Sequence, residues 1–231
     1  DEGYRNLIKI VSRGYTEGFY YKPRVDNELL RQFSKGIIAT SACLAGRVQQ
    51  ELLNGNYEGA KREALEYEDI FGKNNFFLEI QDQGLEEEKR INPLLKKLSK
   101  ETGIGLVATN DVHYINKEDS EFHDILLCIQ TGSFVADTDR MRFPNSEFYL
   151  KSEKEMRRIF ADIPEAIDNT HKIAERCNME FDFDHQHLPE FIPPDGYDTK
   201  SYLRMLCEKG AAERYGEITP ELRSRLEYEL S

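Results

Sequence analysis

The sequence lacks the features that would send it into a membrane or out of the cell. No apolar run approaches the roughly 20 residues a spanning helix needs. No signal peptide is read at its start, which is DEGYRNLIKI, acidic and already helix-like. An initiator Met is also missing, and the last residues, RLEYELS, lie inside a helical pattern, so the expectation is a fragment of something longer. None of the four cysteines, Cys43, Cys128, Cys177 and Cys207, forms a C-x-x-C pair, and their spacing carries no disulfide framework. Reduced thiols in a cytoplasmic protein fit that pattern. No glycine-rich phosphate loop follows an apolar segment, which weakens a dinucleotide-binding reading. Internal repeats and low-complexity tracts are absent. Basic residues are outnumbered by acidic ones, 31 to 43, for a net charge of −12. That balance argues against nucleic-acid binding as the task of the whole surface, while leaving room for a local basic strip.

What is present is a globular chain of 231 residues, 39% hydrophobic and 32% charged, enough for one large domain or one and a half ordinary ones. Residues 1–14 carry Tyr4, Leu7, Ile8 and Val11 at helical spacing, with Gly14 and Gly18 ending the pattern. FYYKPRVD then runs extended, and Asp26 caps a short helix closed by Gly36. From there helices alternate with short apolar strands. GIIAT, NFFLEIQD (centred on Phe76 to Ile80) and IGLVAT are the strands. LAGRVQQELLNGN, YEGAKREALEYEDIFG and LEEEKRINPLLKKLSKETG are the helices between them, with Pro93 expected to kink or restart the last. This alternation predicts an α/β fold with a parallel sheet buried on both faces, either a barrel or a doubly wound sheet.

Beyond residue 113 the pattern changes. A helix capped by Asn116 and stopped by Gly132 precedes a mixed loop and short strand. Ser152 and Glu155 stand at capping-box spacing before the next helix, and IPEAIDNTHKIAERCN forms another. The proline-rich stretch around residues 186–197 reads as a linker, with two helices in residues 198–231 after it.

The residues of greatest chemical interest lie in VATNDVHYI, residues 107–115. Asp111 and His113 are two apart, so in an extended segment both leave the same face at the carboxyl end of a buried strand. Sites in parallel α/β folds are built at that end. The plainer reading makes Asp111 a turn cap and His113 a core filler. Cys43 raises the stakes, because it too follows the carboxyl end of a strand. A thiolate, an imidazole and a carboxylate on one side of one sheet suit a transition-metal ion such as zinc. Against that, most free cysteines are small buried hydrophobes.

Other candidates carry less. His185-x-His187 beside Asp182 and Asp184 looks like a ligand cluster, but it lies in the proline-rich stretch and reads as a solvated linker. His123 falls mid-helix next to Asp124 and reads as a surface or packing residue, and His171 carries no signal. Glu79 and Gln81 either line the mouth of the sheet or reflect plain strand polarity. Arg140, Arg142, Arg157 and Arg158 read as salt-bridged surface rather than DNA contacts.

Several long blocks together carry a family resemblance: GIIATSACLAGRV, FFLEIQDQGLEEEKRINP, GLVATNDVHYINKEDSEFHDILLCIQTG, FYLKSEKEM and RLEYEL. In this order they resemble the alpha-subunit family of bacterial DNA polymerase III, the C-family replicative polymerases, over nearly the whole chain. The resemblance implies that residues 1–185 are the later portion of a PHP (polymerase and histidinol phosphatase) domain, a distorted βα, TIM-like barrel with metal ions at the carboxyl ends of its strands. It implies that residues 198–231 begin the palm region. It assigns Cys43, Asp111 and His113 as metal ligands, for zinc or manganese, as part of a larger set whose His-x-His, Asp-His and Glu members have no counterpart here. The polymerase aspartates that bind magnesium are not matched either, so no catalytic residue is expected in this chain. Template-primer DNA, deoxynucleoside triphosphates, a sliding clamp, a clamp loader and a separate proofreading exonuclease are the implied partners of the parent nucleotidyltransferase. An intact PHP site would give 3′–5′ proofreading, and a degenerate one a structural domain. The alternatives are a stand-alone PHP phosphoesterase, an error-prone paralogue and a non-catalytic scaffold.

Overall fold

In the computed structural model, residues 1–185 and 188–231 are described. They form two compact units, residues 1–180 and 181–231.

The first unit opens with α1 (Glu2–Thr16) and α2 (Asn27–Phe33), the latter capped by Asp26, whose carboxylate accepts from the Leu29 amide at 2.9 Å. Gly14 does not end α1. The helix runs through it, because the returning chain crosses there: a Cβ on Gly14 would lie 3.3 Å from Val25 Cγ1. Gly3, Ile10 and Gly14 turn inward, while Tyr4, Leu7, Ile8 and Val11, the periodic apolar set, stay exposed.

Three parallel strands follow: β1 (Ala39–Thr40), β2 (Phe76–Ile80) and β3 (Leu106–Ala108), in the order β1-β2-β3. Ala39 pairs with Phe76, and Leu78 with Leu106. Between them run α3 (Arg47–Leu53), α4 (Tyr57–Phe71) and α5 (Glu86–Thr102). Each crossover is helical, as parallel pairing requires. The helix α5 continues unbroken through Pro93 to a left-handed Gly103, so the expected restart does not occur. Its first turn is closed by Glu88, whose Oε2 accepts from the amides of Gln83 at 2.7 Å and Leu85 at 3.1 Å.

The sheet is not buried uniformly. All of β3 and all of β2 but Glu79 are buried, whereas Ala39 is half-buried and Thr40 exposed. The expectation of burial on both faces therefore fails for β1, which is two residues long and lies at an edge. The opposite edge, β3, is covered: Asn169 Nδ2 donates to the Leu106 carbonyl at 2.7 Å, satisfying an acceptor that an open edge would leave bare. Leu78 and Ile80 of β2, Ile91, Leu95 and Leu98 of α5, and Val48 of α3 form the centre of the core.

After β3 come a one-turn 3₁₀ helix (Lys117–Asp119), α6 (Ser120–Thr131), a long irregular segment, α7 (Glu153–Ile159) and α8 (Pro164–Arg176). The capping box at α7 is formed: the Glu155 amide donates to Ser152 Oγ, and Glu155 Oε2 accepts from the Ser152 amide at 2.9 Å. In the second unit, α9 (Thr199–Tyr215) and α10 (Pro220–Leu230) are joined by a two-pronged ion pair of Arg204 with Glu227. Among the described residues no helix is long and apolar enough to cross a membrane.

Candidate site at the carboxyl end of the sheet

Parallel strands deliver their carboxyl ends to one side, and here a single carboxylate ties the three together. Glu79, the one residue of β2 that is not buried, accepts from Thr40 Oγ1 of β1 at 2.5 Å through Oε2. Its Oε1 accepts from Thr109 Oγ1, just beyond β3, and from Gln81 Nε2 at 3.2 Å. Gln81 Nε2 also reaches Thr109 Oγ1 at 3.0 Å. Alternation along β2 explains the arrangement: Leu78 and Ile80 face the core, while Glu79 and Gln81 face the other way. Behind this network Glu88 is buried, and burial pushes its carboxyl up despite the two amides that donate to it.

Beyond β1 the chain turns sharply. Ser41 is buried, its Oγ accepting from the Glu79 amide at 2.8 Å and from Gln49 Nε2 at 2.7 Å. Ala42 then takes a left-handed φ of 62°, a strained conformation for a residue with a Cβ. This turn presents Cys43 to solvent with a free thiol.

Beyond β3, His113 Nδ1 lies 3.0 Å from the Asp111 carbonyl oxygen and 3.6 Å from Asp111 Oδ1. A carbonyl only accepts, so this contact is made with the proton on Nδ1, and in the neutral ring that leaves the lone pair on Nε2. That tautomer and that backbone tether are how proteins prepare an imidazole to bind a metal through Nε2. The ring is held by aromatic neighbours. Its centroid is 4.6 Å from Phe143, 5.5 Å from His123 and 6.0 Å from Phe148. His123 is thus a packing residue beside His113 rather than a surface one, and burial, with His113 nearby, holds its imidazole below the ordinary value.

The structure brings Asp111 and His113 together. It leaves Cys43 at the end of β1, with β2 between: two strand spacings, about 10 Å, separate β1 from β3. Among the described residues no three His, Cys, Asp or Glu side chains gather closely enough to hold one ion. The donor types at β3 fit a divalent metal, as a carboxylate and an imidazole with a free Nε2, but the pair alone is an incomplete shell. Of the linker cluster, His185 Nδ1 sits 2.7 Å from Asp182 Oδ2, a local contact, and His187 lies outside the described residues.

Sequence reasoning missed the segment that covers the β3 end. Asn110 Nδ2 donates to the Tyr149 carbonyl at 2.7 Å, Asn145 Nδ2 to the Gln83 carbonyl at 2.8 Å, and the His113 amide to the Phe148 carbonyl at 2.8 Å. Tyr149 donates in turn to Glu155 Oε1 at 2.6 Å. That bond is the main reason the phenol is pushed up to about 12; the Ser152 hydroxyl above all, then the Tyr149 hydroxyl and the Ser152 amide, bring the carboxyl of Glu155 down to about 2. Arg140 also differs from expectation. It is salt-bridged but not on the surface: its side chain is 2% exposed and grips Asp124 with Nη1 and Nη2, each at 2.6 Å. Arg157 does pair in the open, with Glu153 and Asp168.

Residues 1–83 match the family model of the PHP domain. Along its whole length the chain is 45% identical to DNA polymerase III subunit alpha of Treponema pallidum, of which it spans 20%. Over 93% of its length it is 47% identical to the subunit of Deinococcus radiodurans, spanning 16% of that protein, and over 95% it is 41% identical to that of Thermus aquaticus, spanning 18%. The chain therefore spans about a fifth of the length of the curated relatives it matches, and is similar to one segment of them.

Proposed function

We propose that this chain is part of a DNA polymerase III alpha subunit, and that the parent protein is a DNA-directed DNA polymerase of chromosomal replication. The observation that carries the reading is identity of 45% sustained across all 231 residues, which a shared PHP domain alone would not produce, since the PHP match stops at residue 83. The parent would extend a primer on a template from deoxynucleoside triphosphates in the cytoplasm. Magnesium would serve that reaction at residues outside this chain. A sliding clamp, a clamp loader and a proofreading exonuclease subunit are its proposed partners. Residues 1–185 would be the later portion of the PHP domain, residues 186–197 a linker, and residues 198–231 the helical start of the palm region. The three parallel strands would belong to a distorted βα barrel.

Within that frame, Cys43, Asp111 and His113 are proposed as ligands of divalent metal, zinc or manganese, in the complete PHP site. Such an ion supplies a Lewis acid and a water made nucleophilic at neutral pH, the chemistry of 3′–5′ phosphodiester cleavage. The chain's own contribution is positional. Asp111 fixes the tautomer of His113 through its carbonyl, Phe143 and Phe148 fix the ring plane, and the turn at Ala42 sets the direction of Cys43. If the set is incomplete in the parent, the same elements serve as a brace for the polymerase.

Two measurements on the complete parent protein test this. Primer extension should depend on template and all four deoxynucleotides. Metal analysis should show less bound divalent metal in Asp111→Ala and in Cys43→Ala than in the wild type. Absence of extension would remove the polymerase assignment, and unchanged stoichiometry in both variants would remove the ligand assignment.

A further inference from the structure

Glu79 stands between the two strand ends that carry the candidate ligands, and its carboxylate touches both strands that lead to them. On one side Thr40 Oγ1 of β1, three residues before Cys43, donates to Oε2 at 2.5 Å. On the other, Thr109 Oγ1, two residues before Asp111, donates to Oε1. Gln81 Nε2 braces the second bond, reaching Oε1 at 3.2 Å and Thr109 Oγ1 at 3.0 Å. The backbone of Glu79 holds the β1 side as well: its amide donates to Ser41 Oγ at 2.8 Å, and its carbonyl accepts from Gln49 Nε2 at 3.3 Å. That same Nε2 donates to the Ala42 carbonyl at 2.8 Å, inside the turn that carries Cys43. Cys43, Glu79 and Gln81 line one narrow crevice.

The sheet ladder stops where these contacts take over. Among the described residues, the last amide on the β1 side to pair with β2 is Ser41, to the Phe77 carbonyl at 2.9 Å, and the last on the β3 side is Thr109, to the Ile80 carbonyl at 3.1 Å. Past those points side chains set how far the Cys43 turn lies from the Asp111–His113 segment, and Glu79 reaches both strands. Its geometry is not that of a ligand, because both carboxylate oxygens already accept from hydroxyls. We propose, on the reading of Cys43, Asp111 and His113 as metal ligands, that Glu79 is a positioning residue for the ion they hold: its carboxylate sets the spacing between the thiol end and the imidazole end. It acts as a spacer rather than as a charge. A glutamine therefore keeps part of the effect, accepting from one hydroxyl through its oxygen and donating to the other through its amide, since a threonine hydroxyl works either way.

The test uses the complete parent protein with cobalt(II) as the probe ion. A thiolate bound to cobalt gives a charge-transfer absorption, and its loss in Cys43→Ala assigns the band. Thr40→Val removes the β1 arm and leaves the carboxylate charged; it should lower the Cys43 band and weaken cobalt binding. Glu79→Ala removes both arms and should weaken binding by about tenfold, the low end for residues that act on a metal through the support of its ligands. Glu79→Gln should fall between the wild type and Glu79→Ala. Urea unfolding of the metal-free proteins is read alongside, because a purely structural tie would lower the urea midpoint and leave the band of the folded protein unchanged. An unchanged band and affinity in Thr40→Val and Glu79→Ala would overturn the proposal while the ligand assignment stands. Equal weakening in Glu79→Gln and Glu79→Ala, with Thr40→Val like the wild type, would make the effect one of charge and overturn it too. No thiolate band in the wild type would remove Cys43 from the site, and the proposal with it.

Discussion

The two ends of the sheet carry similar chemistry on very different supports. At the β3 end, His113 is tethered through Nδ1, packed against Phe143 and Phe148, and roofed by residues 143–151. At the β1 end, Cys43 stands exposed after a strained residue on a two-residue edge strand. Both are ligand-type residues just past a parallel strand. The difference shows that strand position selects which face a side chain leaves, whereas later segments decide whether it is held. Preorganisation belongs to β3, and adaptability to β1.

The comparison breaks most completely if the foundation shared by both ends is removed. Leu78 is fully buried in β2, between them. Leu78→Ala should cost about 2–5 kcal/mol in urea unfolding, as large core truncations do. It should loosen both ends at once. Phe148 is 3% exposed and belongs to the β3 end alone. Phe148→Ala should cost about 3 kcal/mol and shift the His113 resonances, while leaving the alkylation rate of Cys43 unchanged. An equal change in Cys43 reactivity would show that the two ends are one unit. Glu79→Gln weakens the tie between them. It replaces a charged acceptor shared by Thr40, Gln81 and Thr109, and should cost about 1–2 kcal/mol, for a charge-assisted network that is partly exposed.

A smaller effect sharpens the β1 side. Ala42→Gly relieves a left-handed φ and should stabilise by about 0.5–1 kcal/mol, the steric relief exceeding the entropy of an added glycine. The same change should leave His113 untouched. On the β3 side, the depressed carboxyl of Glu155 supports the Ser152 cap and Tyr149. A depressed folded pKa means that this contribution is present above the unfolded value, near 4.3, and is lost as pH falls from there through about 2. The melting temperatures of wild type and Glu155→Gln should therefore differ at neutral pH and converge in strong acid.

Much of this was legible from local pattern. The strand at Phe76–Ile80, the Asp26 cap, the capping box of Ser152 and Glu155, and the glycine stops at Gly103 and Gly132 all depend on residues within a few positions of each other. Asp111 and His113 do lie side by side, but not through strand alternation: β3 ends at Ala108, and the Val112 amide turns back to the Asn110 carbonyl at 2.9 Å. What escaped the sequence was non-local. The cover of Phe143 and Phe148 over His113, and of Asn145 over Gln83, joins segments 30 or more positions apart with no periodicity to betray it. The pairing of Arg140 with Asp124 likewise turned an apparent surface arginine into a buried one. Gly14 misled because a glycine that ends a helix and one that admits a crossing chain look alike in one dimension. At Pro93 the expected restart does not occur, because the surrounding packing of Ile91, Leu95 and Leu98 holds α5 together through the lost amide.

The claim on which the site rests is that the Asp111 carbonyl holds His113 in the Nδ1–H form, with Nε2 free to bind. Nitrogen-15 NMR of the imidazole measures this directly. The account predicts a proton on Nδ1, and a selective perturbation of Nε2 when zinc or manganese is added. A proton on Nε2, or a His113 ring that ignores both metals while other residues respond, would contradict it.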